Sequence, residues 1–157
     1  MAFNELKIDP PSPRAYKKMI KVIIMELKEY FENSSGKGVL ATANSDGEVD
    51  AAIYSKPHVM DDGTIAFIMR ERLTYKNLQS NPYAAFLFIE DGAHFNGIRI
   101  YLKKLKEDTD TELIKKMSKR YLTPEEDKAK GPKFLVYFKA EKILNLIGSE
   151  KPDINMP

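Results

Sequence analysis

The chain has 157 residues, and its 25 basic and 23 acidic side chains leave a formal net charge of +2. The absence of cysteine excludes disulfides, thiolate catalysis and zinc–thiolate sites, and two histidines supply too few ligands for a histidine metal centre. The balanced charge provides no overall electrostatic field for nucleic-acid binding. No apolar run approaches the roughly 18 residues of a membrane span. We therefore expect a cytoplasmic protein that binds neither nucleic acid nor a membrane.

The first periodic segment predicts an amphipathic helix. Ser12 followed by Pro13 is a good helix start, because serine caps free N–H groups and proline at the first helical position loses no needed hydrogen bond. Apolar side chains then recur every three or four residues as far as Tyr30, and the helix is expected to end between Asn33 and Gly36. The chain length predicts a single domain over 1–157.

The remaining periodicity is mostly that of strands. Six runs have strand character: Gly38–Ala43, Val49–Lys56, Thr64–Met69, Tyr83–Glu90, Gly97–Leu105 and Phe134–Ile147. Helices are predicted from Thr74 and Thr109, a kink at Lys142, a charged loop over 123–133 and a loose tail after Gly148. Because strands and helices do not alternate as in a parallel sheet, we expect a mainly β fold, a six-stranded antiparallel barrel with outer helices.

A basic cluster joins the third strand to the short helix. Arg70 and Arg72 end the strand, Thr74 is predicted to be the N-cap, and Lys76 lies in the first helical turn. Free N–H groups and the helix dipole stabilise an anion at a helix N-terminus, whereas a lysine there is unfavourable without one. The cluster therefore predicts an anion site, with a solvated strand end as the alternative.

The end of the second strand supplies further candidates. In a small barrel this strand lies near the third, so Tyr54, Ser55 and Lys56 could present backbone amides and one ammonium group to a planar heterocycle. Ordinary alternation, with Ile53 inward, Tyr54 outward and Lys56 solvated, is an equally good interpretation.

No side chain stands out as a catalytic acid, base or nucleophile. The sequence has no HExxH, P-loop or GxGxxG motif, and its candidate carboxylates mostly lie beside glycine turns, where they are expected for structural reasons. We therefore leave catalytic residues unassigned, expect no metal site, and expect any reactive chemistry to come from a cofactor.

The succession of these segments resembles the FMN-binding split-barrel proteins of the pyridoxamine 5'-phosphate oxidase-like family. The resemblance is carried by GVLATANSDGEVDAAIYSKP, TIAFIMRERLTYKNLQSNPYAAFLF and NGIRIYLKKLKE. It implies a split β-barrel, a homodimer with FMN at the subunit seam, a phosphate held after the third strand, and a small-molecule substrate. The cofactor-binding residues that it implies are Ala52, Ile53, Tyr54, Ser55, Lys56, Met69, Arg70, Arg72, Thr74 and Lys76.

Several positions depart from the true oxidase. Its Arg-x-Val-Leu-Leu-Lys run is AAIYSK at 51–56, its phosphate lysine falls on Thr74, its strand-five glutamine falls on Gly97, and the chain has no tryptophan. We therefore predict an FMN-binding oxidoreductase that does not oxidise pyridoxamine phosphate, with Lys76 or Arg72 in place of the usual lysine. The alternatives are a non-enzymatic module that binds or senses flavin or haem, and the use of F420 instead of FMN.

Overall fold

The computed structural model describes residues 10, 12–15, 27–109, 111–118 and 122–157. Its strands are β1 (Gly36–Ala43), β2 (Val49–Tyr54), β3 (His58–Val59), β4 (Ile65–Arg70), β5 (Tyr83–Glu90), β6 (Gly97–Asp108) and β7 (Lys133–Asn145). Its helices are α1 (Leu73–Ser80), α2 (Thr111–Met117) and α3 (Pro124–Ala129). Residues 13–15 and 27–33 are also helical.

The seven strands of the described ranges form one antiparallel sheet in the order β2-β1-β5-β6-β7-β4-β3. The predicted mainly β, antiparallel split-barrel fold is confirmed, with seven strands rather than six. The additional strand is β3, which has only two residues and pairs with the start of β4. No helix in the described part of the chain is long and apolar enough to cross a membrane.

The sheet curls around an apolar core. Phe67 on β4 packs against Phe86 on β5 with ring centroids 5.0 Å apart, although β6 and β7 lie between these strands in the sheet. Such a contact requires the sheet to curve into a partial barrel. The barrel is split between β2 and β4, where the Tyr54 ring packs on Phe67 at 5.9 Å and no strand pairing joins the two among the described residues.

Helices close the barrel from outside. In the segment 27–33, Leu27 and Phe31 are buried in the core, and the Phe31 ring lies 5.4 Å from that of Phe88. The predicted start of this helix is supported by the hydrogen bond from the Ala15 N–H to Ser12 Oγ at 3.2 Å. The middle of the predicted helix, residues 16–26, lies outside the described residues.

Four details differ from or sharpen the sequence predictions. The charged loop predicted over 123–133 contains α3, whose start is fixed by a capping box between Thr123 and Glu126. The tail is packed rather than loose, because Ile154 lies against the core. The predicted kink at Lys142 is a register shift between β6 and β7. The helix predicted from Thr109 is α2, which begins at Thr111.

Candidate functional site

A cleft of about 1270 Å³ follows the split in the barrel. The edge strand β2 and the first residues of α1 form one side of the cleft, and residues of α2 and α3 form another. Eight of the predicted cofactor-binding residues line it: Ala52, Ile53, Tyr54, Ser55, Lys56, Arg70, Arg72 and Thr74. The structure does not bring the other two into the lining, since Met69 is 1% exposed in the core and Lys76 is exposed elsewhere on α1.

The short helix begins one residue earlier than predicted. Arg72 is the N-cap, no side chain caps the helix, and the Lys76 N–H donates to the Arg72 carbonyl oxygen at 2.9 Å. The N–H groups of residues 73–75 therefore have no acceptor within the helix. Because Leu73 and Thr74 line the cleft, the N-terminus of α1, with the positive end of its dipole, faces the cleft.

Thr74 is not the N-cap because its side chain is buried beneath the helix. It is only 3% exposed, and both Thr74 and Tyr54 line the cleft. Burial raises the pKa of Tyr54 above its ordinary value, against smaller lowering effects from the Thr74 hydrogen bond and the positive charge of Arg72. The Tyr54 hydroxyl therefore keeps its proton at neutral pH and remains a hydrogen-bond donor.

The two arginines of the cluster have different surroundings. Arg72 is exposed and forms no ion pair within the described ranges. The Arg70 side chain is 12% exposed, and its Nη2 donates to Asp127 Oδ1 at 2.6 Å. Its Nη1 donates to the backbone oxygens of Gly131 at 2.7 Å and Asp127 at 3.2 Å. Of these two arginines, Arg72 is therefore the one whose guanidinium group has no hydrogen-bond or ion-pair partner among the described residues.

The Asp127 carboxylate is shared by two cations. Besides Arg70, it accepts from Lys133 Nζ at 2.9 Å. Hydrogen bonds from Lys133 and Arg70 hold the pKa of Asp127 below its ordinary range. The sequence shows no local sign of this arrangement, because Asp127 lies 57 residues after Arg70.

The ordinary-alternation interpretation of β2 has the wrong phase. The Tyr54 side chain turns inward to Phe67, whereas Ile53 is 76% exposed on the outer face. Lys56 is not solvated either, since its Nζ donates to the carbonyl oxygens of Phe31 and Ser34 at 2.6 Å each. Lys56 thus fastens the end of the helical segment 27–33 to the end of β2.

The backbone of β2 is available on one side. Within the described part of the chain β2 pairs with β1 alone, so alternate N–H and C=O groups along its other edge have no strand partner there. Residues 52–55 line the cleft. A flat, polar-edged ligand could therefore form main-chain hydrogen bonds along β2, as the interpretation of this strand as a wall for a planar heterocycle requires.

Sequence reasoning missed the wall that α2 and α3 contribute. Among its lining residues are Leu113 and Met117 of α2, Leu122 between the helices, and Pro124 and Lys128 of α3. The Thr-Pro-x-Glu start of α3 was the available local signal. No group of three or more histidine and carboxylate side chains in the described ranges is arranged to hold a metal ion.

The position of the oxidase glutamine is closed in this fold. Gly97 has φ +148°, and a Cβ atom placed there would collide with the carbonyl oxygen of Phe88 on β5. Glycine in place of the oxidase glutamine is therefore required by the close pairing of β5 with β6. A side chain at position 97 cannot reach the cleft.

The chain is similar to several known proteins. A family model described as pyridoxamine 5'-phosphate oxidase matches residues 24–146. No curated protein matches the chain. An FMN-binding protein from Syntrophomonas wolfei subsp. wolfei is 21% identical, with 86% of this chain and 94% of that chain covered and a TM-score of 0.63.

Two further solved structures have the same fold. HupZ from Group A Streptococcus is 20% identical, with 82% of this chain and 97% of that chain covered and a TM-score of 0.62. An F420 reductase is 21% identical, with 74% and 94% covered and a TM-score of 0.56. At these identities the likeness establishes the fold.

Proposed function

The chain belongs to the pyridoxamine 5'-phosphate oxidase family, and from this membership we propose that it is an FMN-binding oxidoreductase acting on a small molecule. The observation that carries the proposal is the unpaired Arg72 at the N-terminus of α1, which opens into the cleft beside the free edge of β2. The volume of the cleft exceeds the roughly 300–1,000 Å³ of ordinary small-molecule sites, so FMN and a small substrate can occupy it together. The FMN-binding protein of the same fold supports the choice of cofactor.

Arg72 is proposed to be the main cation for the FMN phosphate. Its guanidinium group has the fork that suits phosphate, and it adjoins the free N–H groups of residues 73–75. Thr74 contributes position, because its side chain is buried and anchors the first turn of α1. Arg70 is not assigned to the phosphate, since its donors are taken by Asp127 and Gly131.

The flavin ring is proposed to lie along β2. Main-chain groups of residues 52–55 would hold its polar edge, and the protonated Tyr54 hydroxyl is a further donor at the inner side of the strand. When bound, FMN supplies the hydride or electron transfer that no side chain of this chain provides. The chain's own residues bind and orient it, and the apolar side chains Leu113, Met117 and Leu122 exclude water from the opposite wall.

We also propose a homodimer in which β2 lies at the seam. The outer face of β2, β1 and β5 is apolar, and neighbouring positions across these strands are occupied by Val49, Ala51, Ile53, Val39, Ala41, Ala85 and Leu87. A contiguous apolar sheet face of this kind is typical of an interaction surface. Because Ile53 also lines the cleft, a second subunit on this face would complete the site.

Light scattering during size-exclusion chromatography tests the dimer. Ile53→Asp is expected to give monomers, since it places a charge on the exposed apolar face, where Ile53 is 76% exposed. Leu105→Asp is the matched control, because Leu105 is 52% exposed and lies on β6 beyond Lys103, the last residue that pairs with β5. A wild-type monomer, or an Ile53→Asp dimer, would contradict the proposal.

The visible spectrum of the purified protein tests the cofactor directly. A flavin spectrum, or saturable uptake of added FMN, is expected. A colourless protein that takes up no FMN would contradict the proposal. A spectrum of F420 or haem would show that the cofactor is one of these instead. Reduction of bound FMN by NADH or NADPH followed by turnover of an added acceptor is expected of an enzyme, whereas a bound flavin inert to both would make the chain a binding module.

A further inference from the structure

The attachment of α3 to the barrel is unusual. α3 has only six residues and none of them is buried. Its capping box and its proline at the first turn satisfy its own N-terminus, but a helix of this length is not stable in water on its own. Contacts with the rest of the protein must therefore hold it in place.

Apolar packing does not provide these contacts. A hollow of about 360 Å³ lies between α2, α3 and the start of β7, lined by residues that include Ile114, Pro132 and Lys133. A helix that rests over a hollow gains little from burial of apolar area. Among the described residues, the polar contacts between the barrel and the α3 segment converge instead on the Asp127 carboxylate, the Asp127 carbonyl and the Gly131 carbonyl.

Arg70 makes most of these contacts. One guanidinium group donates three hydrogen bonds to the α3 segment from a position that is 12% exposed, at 2.6, 2.7 and 3.2 Å. Charge-assisted bonds of a planar fork are both strong and directional. Since Arg70 ends β4, a rigid strand of the core, it fixes α3 relative to the cleft that α3 helps to line through Pro124 and Lys128.

We propose that Arg70 is a positioning residue that latches α3 over the cleft as a movable wall, rather than a ligand of the cofactor phosphate. The latch consists of Arg70, Asp127, the Gly131 carbonyl and Lys133. When the latch is broken, α3 is no longer held against the end of β4, and that side of the cleft widens. This inference does not depend on the proposed flavin, because the latch is made entirely of this chain's residues.

Hydrogen exchange of the full-length, ligand-free protein tests the latch. The amides of Asp127, Lys130 and Gly131 are hydrogen-bonded within the α3 segment, so their exchange measures its undocking. Arg70→Ala is expected to speed their exchange about tenfold or more, which is the effect of losing hydrogen bonds to a charged group. Arg70→Lys keeps the charge without the fork and is expected to fall between Arg70→Ala and wild type.

Arg72→Ala is the matched control. It removes the same side chain two residues away, but Arg72 has no ion pair within the described ranges, so α3 should exchange as in wild type. Unchanged exchange of α3 in Arg70→Ala would overturn the proposal. Equal acceleration across β4, β7 and α3 would also overturn it, because the loss would then be one of general stability.

A second pair of variants applies if Arg70→Ala does not fold. Asp127→Ala should speed exchange in α3, and this cannot arise from helix propensity because alanine is the better helix former. Asp61→Ala is its control, since Asp61 forms an ion pair with Lys28 at 3.4 Å elsewhere on the cleft. Slow exchange of α3 in Asp127→Ala would refute the latch.

Discussion

Replacement of Arg72 by alanine should weaken FMN binding more than the same replacement of Arg70. Arg72 stands at the N-cap of α1 with its guanidinium group free, whereas Arg70 already donates three hydrogen bonds to the α3 segment. The comparison is informative because sequence reasoning alone assigns both residues to the phosphate.

The magnitude follows from the exposure of Arg72. A hydrogen bond to a charged group contributes about 1.5–3 kcal/mol, and solvent screening of an exposed arginine favours the lower end. With 1.4 kcal/mol per tenfold change in Kd, we expect Arg72→Ala to raise the Kd for FMN about 10- to 30-fold. The free N–H groups of α1 remain in the variant, so binding should be weakened rather than abolished.

Quenching of FMN fluorescence during titration, at fixed ionic strength, measures both variants. Raising the salt concentration should weaken wild-type binding more than that of Arg72→Ala, because the variant has lost the screened interaction. Wild-type affinity in Arg72→Ala would refute the assignment of the phosphate. So would a greater loss in Arg70→Ala than in Arg72→Ala.

Two further predictions concern stability. Asn77→Leu should lower the free energy of unfolding by about 1–3 kcal/mol in urea titrations, because the Asn77 Nδ2 donates to the buried Thr42 hydroxyl at 3.1 Å and the variant leaves that hydroxyl unpaired; a harmless substitution would contradict the role of this bond. The second prediction concerns pH. Hydrogen bonds from Lys133 and Arg70 lower the folded-state pKa of Asp127. Their contribution to the stability of the folded protein is therefore fully present above the ordinary aspartate pKa of about 3.9, and it is lost as the pH falls through the lowered pKa. The stability gap between wild type and Asp127→Ala should therefore be constant from about pH 7 to 5 and shrink below about pH 4, whereas a gap that persists unchanged at the lowest pH would contradict this reasoning.

Strand periodicity predicted β1, β5 and the first half of β6 because each of these strands buries one face. β5 occupies the predicted residues Tyr83–Glu90, and Ile98, Ile100 and Leu102 of β6 are buried as their alternation implies. β6 continues to Asp108 beyond its apolar part because β7 pairs with the whole length. Such an extension depends on a partner far along the chain and has no local signal.

The charged segment before β7 shows the limit of apolar periodicity. Its helix, α3, has no buried residue, so the pattern that identifies an amphipathic helix is absent. Its capping box, from Thr123 to Glu126, was present in the sequence and would have predicted the start. Strand β3 was missed because two residues after Pro57 are too few to show a period.

The candidate site was predictable in position but not in detail. The sequence located the basic cluster beside a helix start, and the structure brings Arg70, Arg72 and Thr74 to one cleft with β2. The sequence could not show that Arg70 forms an ion pair with Asp127, because tertiary packing brings these two residues together. The phase of β2 was also ambiguous, because an apolar Ile53 on the outer face and an aromatic Tyr54 on the inner face leave no clear polar side.

The open edge of β2 also bears on how the protein behaves in concentrated solution. An edge strand with unpaired backbone groups and an apolar face, here carrying Val49 and Ile53 at 84% and 76% exposure, is a template onto which a strand of another molecule can add. A ligand that lies along this edge blocks the same hydrogen-bonding groups. Aggregation during storage should therefore be a property of the ligand-free protein, and protection from it would be an early sign, before any activity is known, that the right ligand has been found.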